Sequence, residues 1–392
     1  MSSIWRRVRV GRQLYKLTAE QGLFTKIEED EDNKVTFENE IDAEGLLYIP
    51  ALSDMHCHLD KHFIGETWRS RKAIDSLPKQ LEREKKLLAS LEGSVMDRAR
   101  KLLQLMLEKG TTHIRTHVDV DPELGLTHLE AIKQVRDEFQ GKVKIEIVAF
   151  PQQGLLRSKS YEVLKEAMEE GADLVGAVDP GGLDRHIESS LEHVFELATT
   201  YKSGVDIHLH DPGHLGLYTI DKVVDYTKEA RLQGHVSVSH AYCLGQVSEE
   251  AVAKLGRRLK KHRISILSSV PIDRPMPNVT QLAALGVNVK LGTDNILDAW
   301  SPFGNVDMLA RLSRLAERSN WVEDDQLVRA FRFATNDSLV PMLGERADFL
   351  LVSALNLEHA VATVPTREWV VVGGKAVAGS RYETGMSTSG KK

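Results

Sequence analysis

The stretch Ile49-Pro50-Ala51-Leu52-Ser53-Asp54-Met55-His56-Cys57-His58-Leu59-Asp60-Lys61 runs from an apolar lead into His-Cys-His, with an acid and a lysine close behind. Side chains alternate along a β-strand, so His56 and His58 leave one face while Cys57 leaves the other and packs. Two neutral imidazoles on one face can meet one cation. With a carboxylate they suit Zn²⁺ or Fe²⁺, and an open coordination position makes such a site catalytic rather than structural. Two histidines near a strand end are also often just solvated, so the reading needs further ligands from elsewhere in the chain.

The elements that would bring them are periodic. From about Ser76 to Lys109, leucines recur among charges as in one or two amphipathic helices. Apolar stretches then follow at 112–118, 143–150, 174–178, 205–210, 236–240, 264–267 and 287–291, each separated from the next by a helix-like segment. With the His-X-His strand this is the alternation of an α/β protein of the (β/α)₈ TIM-type barrel class. An open doubly wound sheet would show G-x-G-x-x-G after its first strand, and none stands there. Barrel enzymes place their chemistry at the C-terminal strand ends. There this chain carries His56 and His58, then His117 and Asp119, Gln152, Asp179, His208 with His210 and Asp211, His240, and Asp294. A random scatter of the 15 histidines would not favour those positions.

The remaining features bound the class. The 392 residues are 42% hydrophobic and 28% charged, globular values, and no apolar run approaches the ~18 residues of a membrane span. A net charge of −6, with Lys and Arg spread along the chain, predicts no nucleic-acid partner. Two cysteines, Cys57 and Cys243, make no disulfide framework, and Met1–Arg7 is followed by no apolar segment, so a cytoplasmic location is expected. Alternating stretches at Arg7–Val10 and Lys34–Phe37, a return strand at Gly344–Val352 and a hairpin over Trp369–Val377 predict a small composite β-domain from 1–50 and 344–385. The barrel then spans 51–343, with a disordered tail at 386–392. The acidic run Glu28–Asp32 reads as an exposed turn.

Taken together, His56-Cys57-His58, Arg115-Thr116-His117-Val118-Asp119, Phe150-Pro151-Gln152-Gln153-Gly154, Asp206-Ile207-His208, Ser239-His240 and Gly292-Thr293-Asp294-Asn295-Ile296-Leu297-Asp298-Ala299-Trp300 resemble the cytosine deaminase branch of the amidohydrolase superfamily. The resemblance runs from about residue 45 to about 340. It implies one divalent metal ion per chain, Zn²⁺ or Fe²⁺, held by His56, His58, His208 and Asp294, with His240 hydrogen-bonding the metal-bound water or the substrate. Binuclear members often use a carboxylated lysine on strand four, and 171–179 contains none. His210 lies two residues from His208, so the choice of ligand between them rests on the resemblance.

The implied reaction is hydrolysis of a non-peptide C–N bond in a small nitrogen heterocycle by a metal-activated hydroxide. Asp294 would take the water's proton and His240 orient the nucleophile or steady the developing oxyanion. Asp211 and Lys61 are candidate donors to the leaving nitrogen. Gln152 would read the ring's amide edge, and Trp300 would stack on it. The chain departs from cytosine deaminase in reading His208-Leu209-His210-Asp211 where that family has His-Cys-Asp-Glu, and in Lys61 and Asn295. The run His58-Leu59-Asp60-Lys61 is similar to the N-isopropylammelide isopropylaminohydrolases of the same branch. His117 and Asp119 could line the mouth, with satisfied hydrogen-bonding roles in the core as the default expectation. Ring opening of a cyclic amide and a catalytically silent metal-binding relative are the alternatives. The expected partner is a small heterocyclic substrate, with a homo-oligomer suggested by the resemblance.

Overall fold

The computed structural model describes residues 2–31, 40–73, 76–335 and 338–382. The stretch Lys34–Phe37 and the tail from 386 lie outside these residues. The chain opens on an antiparallel meander of β1 (Ser2–Val10), β2 (Gln13–Glu20) and β3 (Leu23–Glu29), then the short β4 (Glu40–Asp42) and β5 (Leu47–Pro50). An irregularity in β1 between Trp5 and Val8 turns both Arg6 and Arg7 inward. Buried guanidinium groups need counter-ions. Arg6 donates to Asp30 at 2.5 Å, the Arg7 N–H donates to the same carboxylate at 2.8 Å, and the Arg7 side chain pairs with Asp42 at 2.7 Å. This corrects the expected exposed turn: Glu28 and Glu29 finish β3 and Asp30 is a counter-ion.

The next strands are β6 (Leu52–Cys57), β7 (Thr111–Asp119), β8 (Lys144–Phe150), β9 (Leu174–Val178), β10 (Gly204–Leu209), β11 (Val236–His240), β12 (Ser265–Ser268) and β13 (Val289–Leu291). They pair in parallel and in chain order, an 8-stranded TIM-type barrel. Two helices, α1 (Leu77–Leu88) and α2 (Val95–Glu108), fill the long connection after β6. Then α3 (Thr127–Glu138), α4 (Tyr161–Glu169), α5 (Ile187–Thr200), α6 (Gly213–Glu229), α7 (Glu249–Lys261) and α8 (Val279–Ala284) alternate with the strands, and α9 (Met308–Arg318) and α10 (Asp324–Ala330) follow the last. Leu102, Leu103, Ile132, Val194, Val223, Leu259 and Leu312 are buried where these helices cover the sheet.

The barrel closes where β13 meets β6. Thr293 donates to the wholly buried Asp54 from its N–H at 3.0 Å and its hydroxyl at 2.5 Å, and the Asp294 N–H donates to the His56 carbonyl at 2.7 Å. A Cβ on Gly292 would lie 2.4 Å from that carbonyl oxygen, so only glycine lets the two strands approach. Burial pushes the Asp54 carboxyl up to about 6 despite its three donors.

Charge also crosses the barrel interior. Arg115 on β7 donates to Asp206 at 2.9 Å, Ser237 at 3.0 Å and Glu146 at 2.9 Å, joining four strands. Arg115→Met leaves Asp206 buried without its cation, so a loss of about 3–5 kcal/mol is expected in urea unfolding. An unchanged midpoint would show that the network relaxes around the gap.

After the barrel, β14 (Phe349–Val352), α11 (Leu357–Thr363), β15 (Arg367–Val372) and β16 (Lys375–Ala378) complete the chain's regular elements among the described residues. β14 pairs antiparallel with β5, giving one sheet in the order β16-β15-β14-β5-β1-β2-β3. Gly373 and Gly374, at φ 55 and 79, make the two-residue turn of the β15–β16 hairpin. Trp5 meets Phe349 edge-on at 5.6 Å in the core of this sheet.

Candidate active site

At or just beyond the ends of β9, β11 and β13 stand titratable residues with left-handed backbone, Asp179 at φ 38, His240 at φ 68 and Asp294 at φ 59. Such conformations persist where surrounding bonds hold them and gather at functional sites. Here they turn a carboxylate, an imidazole and a second carboxylate towards the barrel mouth. Asp294 meets His56 Nε2 at 3.5 Å and His58 Nε2 at 3.4 Å through one oxygen, and His240 Nδ1 at 3.9 Å through the other. The His208 ring lies 4.5 Å from that of His56 and 4.3 Å from that of His117.

Among the described residues, His56 Nε2 and both ring nitrogens of His117 and His208 are buried without a hydrogen-bond partner. So many bare imidazole nitrogens in one place are unfavourable unless something accepts their lone pairs. Ligand atoms of His56, His58 and Asp294 lie within 4.8 Å of one another, as do those of His56, His117 and His208. The donor set fits a divalent cation.

The neighbours prepare it. Ser239 donates to Asp206 at 2.6 Å, so its oxygen accepts from His56 Nδ1 at 2.8 Å, leaving the proton on Nδ1 and a lone pair on Nε2. His58 Nδ1 faces the His117 carbonyl at 3.3 Å, which fixes the same tautomer. Burial pushes His58 down to about 4 and holds His117, His208 and His240 well below the ordinary histidine range. Burial raises the Asp294 carboxyl, while positive charge on His240, His56 and His58 would hold it well below the usual carboxylate range, and a cation set among these neutral rings would act in the same direction. Neutral imidazoles and an ionised carboxylate are the forms in which these groups bind metal. His117 is therefore not the satisfied core residue expected from sequence; it stands bare in the histidine cluster. Cys57 packs, its thiol 3.5 Å from the Arg115 carbonyl.

A cavity of about 330 Å³ opens above the cluster, bounded by Lys61, Gln152, His210, Trp300 and Asp294 among others. Lys61 is 2% exposed and donates to Asp119 at 3.2 Å. Burial works against its charge, but Asp119, Glu84 and Asp60 together hold its pKa above the usual value. Asp119 thus serves the mouth rather than the core alone. His210 donates from Nδ1 to Asp179 at 2.9 Å and its ring stacks 4.5 Å from that of His240. Burial lowers its pKa, and the Asp179 carboxylate more than reverses this.

Asp211 is not brought to the cavity. Its carboxylate accepts from the Gly182 N–H at 3.0 Å, and Gly181 and Gly182 pack so tightly on it that a Cβ at Gly182 would lie 2.2 Å away. The short side chain turns back on the loop after β9. This corrects its expected place as a proton donor facing the substrate.

Glu84 was not among the residues expected here. It is 1% exposed on α1 and accepts from the Gln152 amide and from Trp300 Nε1 at 2.8 Å. Burial, with Asp119 and Asp298 nearby, pushes its carboxyl up to about 8. A signal did exist: Leu77, Leu81, Glu84 and Leu88 fall on one helical stripe, so an acid stands where the apolar face calls for a leucine. Glu84→Gln leaves one acceptor oxygen where Gln152 and Trp300 donate to two, so one of these bonds is lost. A rise in KM of about tenfold with a smaller change in kcat is expected; equal loss in both would place Glu84 in the chemistry instead.

The profile of the Amidohydrolase family matches residues 39–339. The protein YahJ of Escherichia coli K12, uncharacterized, is 38% identical over 351 residues, 86% of this chain and 76% of its own. The crystal structure of N-isopropylammelide isopropylaminohydrolase from Burkholderia multivorans superposes with a TM-score of 0.91 at 32% identity, covering 97% of this chain and 98% of that one. The 5-methylcytosine deaminase of Klebsiella pneumoniae, crystallised with 5-fluorocytosine, gives 0.83 at 27% identity, covering 97% of each chain.

Proposed function

Because the chain belongs to the amidohydrolase family, we propose that it is a metal-dependent aminohydrolase that releases an amine from a small planar nitrogen heterocycle. The observation that carries this is the group of bare, buried imidazole nitrogens beside Asp294, opening on a cavity whose wall can read a ring edge. The names of the two solved relatives describe loss of an amine and support the leaving group. His56, His58, His208 and Asp294 would hold one divalent ion, Zn²⁺ or Fe²⁺, with His117 beside them. Such an ion lowers the pKa of water towards ~7 and so supplies a nucleophile at neutral pH.

The chain's own groups divide the remaining work. Asp294, ionised and 3.9 Å from His240, receives the proton of the attacking water. The Lys61 ammonium, fixed by Asp119, spends its remaining donors on a ring carbonyl and on the negative charge that develops there. Gln152 commits its N–H to Glu84, so its carbonyl oxygen is left to accept from a ring N–H. An amide anion is a poor leaving group, and the His210–Asp179 pair places a proton donor at the cavity wall for the departing nitrogen. Trp300 covers the planar ring.

The test is elemental analysis of the purified protein, paired with ammonia and alkylamine release from cytosine, isoguanine, ammelide and N-alkyl aminotriazines. About one metal per chain with amine release is expected, lost on chelation and restored by Zn²⁺ or Fe²⁺. Metal without release across this panel would overturn the aminohydrolase reading in favour of a ring-opening or silent relative.

A further inference from the structure

A second and larger cavity, about 710 Å³, adjoins the first and shares Tyr242, Arg274, Asp294 and Asn295 with it. Four arginines line it: Arg71, Arg274, Arg311 and Arg314. The acids on its wall are Asp294, committed to the histidine cluster, and Asp273, which pairs with Arg274 at 2.7 Å. The cavity is therefore cationic beyond what its own acids offset.

The source of that charge is one face of α9, where Arg311, Arg314 and Arg318 fall three and four residues apart. Like charges at this spacing repel, so each needs a task that offsets the cost. Two have tasks. Arg311 donates to the carbonyls of Ser269 and Thr293, at 2.5 and 3.0 Å, and Arg318 ties down the Arg274 carbonyl at 2.7 Å, fixing the loop that presents Arg274. Arg314 has none: among the described residues this half-buried guanidinium has no hydrogen bond or ion pair. Above the arginines the rim is apolar, with Trp68, Ile272 and Phe303 each about 70% exposed.

A cationic floor beneath an apolar rim, one wall away from the reacting position, suits an extended substituent with a hydrocarbon spacer and an anionic end. We infer that the substrate of this site is a nitrogen heterocycle bearing an anionic oxygen group, carboxylate or phosphate in type, received by Arg314. This rests on the smaller cavity being the substrate site. Guanidinium forks match such groups in two parallel hydrogen bonds, and Arg314 keeps its fork uncommitted.

Three ammelides test this by calorimetric titration of the metal-loaded protein: one with an N-linked carboxyethyl arm, one with a phosphonoethyl arm, and one with the neutral carboxamidoethyl arm. At least one anionic probe is expected to bind about tenfold or more tightly than the carboxamide, and the tighter of the two names the anion. Arg314→Gln should bring the anionic probes down to the carboxamide's affinity, and Arg314→Lys should restore part of the difference. Equal affinity of all three probes, no binding by the anionic ones, or an advantage that survives Arg314→Gln would overturn the inference. Amine release is read separately. Selective binding without release would count against the aminohydrolase reading alone, and release from charged and neutral probes at equal affinity would count against the anion site alone.

Discussion

Asp294→Ala is expected to lower turnover by ~10⁴-fold or more, because in the proposed mechanism one substitution removes the acceptor of the water's proton and the charge around which the histidines gather. A metal held by the cluster as proposed should also be lost, seen by elemental analysis. The barrel should survive. The side chain's ion-pair contacts are to His56, His58 and His240, while the bond that closes the seam comes from the backbone N–H and remains in alanine. The native aspartate already holds φ 59, so alanine adds only the part of the ~1–2 kcal/mol left-handed penalty that a polar side chain relieves, a small drop in melting temperature. A variant that keeps both fold and full activity would overturn the mechanism at its centre.

His210→Gln should cost ~10²–10⁴-fold in kcat with substrate affinity largely kept, the signature of a lost proton donor. Its pH behaviour has a definite sign. Asp179 raises the histidine's pKa, and the donor works only while protonated, so kcat should fall as pH rises through that value. Asp179→Asn removes the supporting charge and should move this alkaline limb to lower pH. Asp211→Asn separates the two candidate acids: asparagine can still accept from Gly182 N–H, so kcat should change by no more than a few-fold. A collapse of kcat in Asp211→Asn with an unaltered His210→Gln would reverse the assignment.

Much of the barrel was legible because parallel strands buried on both faces write unbroken apolar runs, and α/β alternation spaces them evenly. The position of His56, His58, His208, His240 and Asp294 at strand ends followed from the same pattern. What sequence left obscure depends on distance between elements. His210 and Asp211 are neighbours in the chain, and only the packing of the loop after β9 shows that one reaches the cavity while the other turns back to Gly182. The bareness of His117 is invisible without knowing that no donor approaches it. Asp30 looked like surface charge because the two arginines it satisfies are turned inward by an irregularity that leaves no mark in composition. Glu84 was readable in principle, as a single acid on an apolar stripe, but helix α1 lies far in sequence from the Trp300 and Gln152 that it serves.

The seam between β6 and β13 bears on the order in which this protein is made. Asp54 and Thr293, which join across it, are 239 positions apart, and His56 and Asp294 sit immediately beyond them on the same two segments. A growing chain has His56 and His58 early, His208 much later, and the carboxylate last of all, when most of the barrel already exists. No fragment ending before β13 contains the assembled cluster, however well its strands have paired. The ribosome would thus withhold an intact site until the ring can shut, and metal uptake in a translation reaction should lag until chains have grown past Asp294.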